Sequence, residues 1–182
     1  MNIAWILLYS LIINGLEIVM FFKVDGIGLT FDRIFKAFLL KFLLAAIVTT
    51  FKFLVLTDYL SYFIEPLFGI SLSLILLRGL PKKLLFFYGL FPIVLMDIFY
   101  RSVSYFVFPF LGQGIVDGDG NPLFLLIMIF VYSIVLVFLK WLDYDFTSLR
   151  KEILDKSFQK SLTTINWIMG AYFLVMENLS YF

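Results

Sequence analysis

What most limits the fold of this chain is the recurrence, along its whole length, of apolar runs about twenty residues long. A helix rises about 1.5 Å per residue, so a run of that length crosses the roughly 30 Å hydrocarbon core of a bilayer. Backbone facing lipid must satisfy its own hydrogen bonds, which leaves helices or a closed barrel. A barrel would need short segments of alternating polarity, and the sequence lacks them. The expectation is an all-α, polytopic integral membrane helix bundle, with residues 1–182 forming one transmembrane domain of about six helices. The spans fall at 3–22, 34–57, 59–77, 84–110, 122–142 and 161–179. Composition agrees, since 63% of residues are hydrophobic, 15% are charged and the mean hydropathy is +1.04, beyond the apolar share of soluble domains. A secretory signal has a single apolar core of about 7 to 15 residues, so no cleaved presequence is expected.

Basic residues near membrane spans are retained on the cytoplasmic side. Lys23 and Arg33 separate spans one and two; Arg78, Lys82 and Lys83 separate three and four; Arg150, Lys151, Lys156 and Lys160 separate five and six. The other two connections hold only Asp58, and Asp117 with Asp119. This alternation predicts an N-terminus outside, with the Gly-rich loop from Gly112 to Asn121 and Phe182 outside as well.

An ionisable side chain at the centre of a membrane helix costs about 2.5 to 3.5 kcal/mol on insertion scales and is a functional candidate for that reason. At about 1.5 Å per residue, Asp97, Arg101, Glu65 and Glu177 all fall in the outer third of the membrane. They come from three different spans, which predicts a vestibule open to the outside. Glu17 fits no such grouping, while Lys36 and Lys140 can snorkel to the inner surface. Asp97 and Arg101 share one helical face at i and i+4, and Ser104 extends it. Two readings stay open: a polar socket in which Arg101 receives an acidic group from outside, or an ion pair that fixes helix packing. Pro66, beside Glu65, and Pro92 predict helix kinks with freed carbonyls. Such kinks mark a cavity or a moving segment, although proline is also simply more frequent in membrane helices.

Other patterns carry less. The chain has neither cysteine nor histidine, so it has no disulfide, thiolate nucleophile or imidazole base. Asp117-Gly-Asp119-Gly-Asn121 resembles the start of a calcium loop, but Met128 stands at the twelfth position in place of the bidentate glutamate, so a turn is expected. Asp25-Gly-Ile-Gly-Leu29 lies in a short loop with no α/β domain around it, unlike a nucleotide-binding glycine box. Residues 143–160 alternate charge with Phe146, Leu149, Ile153, Leu154 and Phe158, which predicts an amphipathic helix on the inner surface; a docking face for a cytoplasmic partner is the alternative. No catalytic residue, metal site or cofactor is expected, and a net charge of +1 gives no basic patch for nucleic acid.

The run Glu65-Pro66-Leu67, then Phe87-Tyr88-Gly89-Leu90 with Pro92, Asp97, Phe99 and Arg101, then Gln113-Gly114-Ile115-Val116, resembles the membrane sensor of streptococcal peptide-pheromone receptor kinases. These are the ComD and BlpH type, with AgrC a more distant likeness. The resemblance covers roughly residues 60–178 and rests on ordered spacing. It implies a polytopic sensor in a bacterial cell membrane that binds a competence- or bacteriocin-inducing peptide from outside, works as a homodimer, and reaches a response regulator only through a histidine kinase domain. This chain lacks that domain, which implies a sensor fragment or a kinase-less relative. The expected ligand-binding set is Glu65, Asp97, Arg101, Ser104, Gln113 and Glu177, with the extracellular peptide and the lipid bilayer as partners. Two other function classes remain: the six-helix substrate-binding membrane subunit of a small-molecule importer, and a bacteriocin-immunity or accessory membrane protein.

Overall fold

The structure is a computed structural model that describes residues 3–55, 64–111, 122–142, 145–152 and 155–179. Every element among the described residues is helical: α1 (Ile3–Asp25), α2 (Phe31–Val55), α3 (Ile64–Leu76), α4 (Lys82–Leu111), α5 (Pro122–Trp141), a 3-10 turn (Phe146–Ser148), α6 (Leu149–Glu152) and α7 (Lys156–Leu179). A helix overlaps each of the six apolar stretches. Among the described residues three helices are long and apolar enough to cross a membrane, within Leu7–Asp25, Lys82–Phe106 and Pro122–Trp141. Lysines 36, 41 and 52 break up α2, the described part of α3 is 13 residues long, and α7 mixes polar residues such as Gln159, Asn166 and Thr164 with apolar ones. Of the expected amphipathic connection, the described residues form a 3-10 turn and the four residues of α6, and residues 143–144 and 153–154 lie outside the described set.

By its contacts the chain parts into two units. The first takes in α1 up to Met20, α4 from Leu95, and α5. In α5, Leu125, Val131, Val135 and Leu139 are buried along one face, while Leu126, Phe130 and Val137 are more than half exposed on the other. A helix apolar on both faces belongs in a nonpolar solvent. Aromatic rings tie the unit together: Phe124 of α5 stacks on Tyr9 of α1 at 6.4 Å and meets Tyr100 of α4 edge-on at 6.3 Å, and Phe138 lies 5.4 Å from Phe99.

The second unit holds the end of α1, α2, α3, the start of α4, and residues from Asp145 onward. Within it α3 passes close to α4. A Cβ built on Gly69 would lie 2.1 Å from the carbonyl oxygen of Gly89, and one on Gly89 would lie 2.7 Å from the Cα of Ile70. Only glycine lets the backbones come so close, which is how membrane helices gain packing when no hydrophobic force drives them together. Phe21 and Phe68, both fully buried, meet edge to face at 5.5 Å beside this crossing. The helix α1 stops at Gly26, whose φ of 61° is open to glycine at no steric cost. There the amide of Ile27 donates back to the carbonyl of Phe22 at 2.9 Å, closing a Schellman motif.

Candidate functional site

In the first unit, Arg101 Nε donates to Asp97 Oδ2 at 2.7 Å, the pair that the i, i+4 spacing predicts. The side chains are about a quarter (Asp97) and a third (Arg101) exposed. The site is therefore reachable, and a charge-assisted bond holds it in shape. Ser104 shares the face, but its hydroxyl donates to the carbonyl of Tyr100 at 2.8 Å, so the donor is spent within its own helix. Tyr100, one residue before Arg101, is held against Phe124, which brings an aromatic wall to the same turn of α4. Pro92 stands within the continuous helix α4 and has no N–H to offer the carbonyl of Tyr88.

Glu65 belongs to the second unit, where Lys41 meets it: Lys41 Nζ donates to Glu65 Oε2 at 3.2 Å and lies 5.1 Å from the centre of the Phe68 ring. The lysine side chain is 11% exposed and the glutamate 44%, so α3 supplies the carboxylate that lets a mostly buried ammonium sit among apolar neighbours. In the sequence, Lys41 is only an interruption of span two; its partner is 24 residues away. Pro66 is the third residue of the described α3, and the residues just before Ile64 lie outside the described set. Glu17 is buried. Gln113 and the whole loop 112–121 lie outside the described residues, as does the side chain of Glu177.

A second cluster, absent from the sequence reading, gathers around Asp25, Tyr88 and Arg150. Arg150 donates to the backbone carbonyl of Asp25 at the end of α1, where a cation also complements the helix dipole. Its guanidinium lies 5.5 Å from the centre of the Tyr88 ring, and the Tyr88 hydroxyl donates to the carbonyl of Phe146 at 2.5 Å. The Phe146 ring packs at 5.3 Å against Phe91, and Thr147 covers Gly26 so closely that a Cβ there would clash. Asp25 is fully buried, and neither of its carboxylate oxygens, nor Arg150 Nε, has a hydrogen-bond partner. The cluster pins the segment that leads into α7 against the ends of α1 and α4. Its sequence trace is faint: an Asp-Gly helix end 125 residues before the arginine, and a tyrosine inside an otherwise apolar run between them.

At the start of that segment Asp145 Oδ1 accepts from the amide and the hydroxyl of Thr147, at 2.9 and 2.6 Å. Those two bonds hold the Asp145 carboxyl below its usual range. Among the described residues no three acidic, histidine or cysteine side chains come together to hold a metal. Compared with protein-family models, curated proteins and solved structures, the chain matches none.

Proposed function

We propose that this chain is the membrane sensor region of a bacterial peptide-pheromone receptor of the ComD and BlpH type. In this reading six helices cross the membrane with the N-terminus outside, two copies pair, and a secreted peptide binds from the outer side. The observation that carries it is the ordered run from Glu65-Pro66-Leu67 through Asp97 and Arg101 to Gln113-Gly114. Its chemistry centres on α4. The ion pair of Asp97 and Arg101 is partly open, so a carboxylate of the peptide can replace or join Asp97 on the guanidinium. An exchange of one charge-assisted bond for another costs little, and Tyr100 beside it offers a ring for an apolar neighbour on the peptide.

The test is binding to the full chain in detergent micelles, read by fluorescence anisotropy with labelled synthetic competence- and bacteriocin-inducing peptides. One of them binds more tightly than its scrambled counterpart. Arg101→Ala then weakens binding about tenfold or more, because a hydrogen bond to a charged group contributes about 1.5 to 3 kcal/mol. Binding of native and scrambled peptides with equal affinity overturns the reading.

A further inference from the structure

Helices α2 and α3 leave an apolar groove of about 210 Å³ along one flank. Leu39, Leu40 and Leu43 form one wall and Leu72, Ile75 and Leu76 the other, with Lys36 lining it as well. Lys41 meets Glu65, while Lys36 shares the groove with Leu76, so the two helices run antiparallel. Lys36 therefore stands at the end where α2 begins and α3 finishes.

That end is rich in cations. Arg33 and Lys36 lie in the first turns of α2, Arg78 follows α3, and Lys82 and Lys83 open α4; all five are exposed. Asp32 is the exposed carboxylate among them and takes one Lys36 N–H at 2.6 Å. An ammonium has three donors. Arg33 reaches back to the carbonyl of Gly28 at 3.2 Å through Nη1 and has further N–H groups on its guanidinium.

An apolar slot with a positive mouth fits a ligand with an apolar tail and an anionic head. We propose that the groove holds an acyl chain of an anionic phospholipid, with Lys36 and Arg33 receiving its phosphate. The tail alone does not distinguish lipids, whereas the cations do: a zwitterionic head brings its own positive charge to a place already crowded with it. A soluble phosphate lacks the chain that the leucine walls take up. This inference uses no residue of the α4 site for its charged end, while its acyl end rests on the six-span reading, which places α2 and α3 in the bilayer.

The experiment is native mass spectrometry of the full chain released from detergent, with phosphatidylglycerol and phosphatidylcholine of identical acyl chains. The chain retains phosphatidylglycerol preferentially, and Arg33→Gln with Lys36→Gln cuts that preference at least fivefold. Leu39→Trp and Ile75→Trp, which narrow the groove from its half-exposed walls and keep every charge, reduce retention of both lipids. Glycerol phosphate does not compete. Equal retention of the two lipids by the unaltered chain overturns the proposal. So does undiminished retention of phosphatidylglycerol in both tryptophan variants, which would make the attraction a diffuse surface effect, or displacement by glycerol phosphate.

Discussion

Asp145 shows how one residue can set a local structure with bonds short enough to leave a titration signature. Its carboxylate takes two hydrogen bonds from Thr147, and bonds to the charged form favour that form. The folded value therefore lies below the unfolded value of about 3.9. The stabilisation from this turn is present above that unfolded value and is lost as the pH falls through the folded one. NMR of a selectively labelled sample gives an Asp145 midpoint below the ordinary aspartate range, and Thr147→Val moves it up by removing the hydroxyl donor. An unchanged midpoint would mean that the hydroxyl bond contributes nothing. This pairing is local, two residues apart, and an Asp-x-Thr turn can be read in a sequence. Lys41 with Glu65, and Arg150 with Asp25, cannot: they are fixed by how helices pack, and no spacing rule reaches across 24 or 125 residues.

At the level of elements, apolar runs make helices legible because a bilayer tolerates little else, and the helix ends follow from residues such as Gly26. The crossing of α3 and α4 was not legible in the same way, since glycines inside helices carry no sign of whether they touch a neighbour. Gly69 and Gly170 show the difference. A Cβ on Gly69 meets the Gly89 carbonyl and the Phe21 ring, so Gly69→Ala forces the helices apart at a cost of about 1 to 3 kcal/mol, as for other overpacked sites. A Cβ on Gly170, within α7, meets nothing within 4 Å, and Gly170→Ala gains roughly 0.5 to 1 kcal/mol from helix propensity. Unfolding of the purified chain in a mixed-micelle denaturant series separates the two: the first variant shifts to lower denaturant and the second to equal or higher. Equal shifts would remove the close crossing as a determinant of stability.

For the molecule as a whole, the question is how many helices cross. Among the described residues three helices meet the requirement by length and apolarity, and if only α1, α4 and α5 cross, then α2 and α3 stay on the side where α1 ends. In that case residue 58, between α2 and α3, and residue 180 share a side with Arg78 and Lys151. The six-span proposal puts them on the opposite side. Lys41 would be costly at mid-membrane by itself, at about 2.5 to 3.5 kcal/mol, but with Glu65 and the Phe68 ring against it the two helices can enter as a paired hairpin, which favours six. The absence of cysteine makes this directly measurable. Single substitutions Asp58→Cys, Arg78→Cys, Asp119→Cys, Lys151→Cys and Ser180→Cys are treated in intact cells with a membrane-impermeant maleimide. Six crossings label positions 58, 119 and 180 from outside and leave 78 and 151 protected until the membrane is opened. Labelling of 119 alone selects three crossings. In that event Glu65 loses any route to an external peptide, and the ligand site contracts to the Asp97 and Arg101 face of α4.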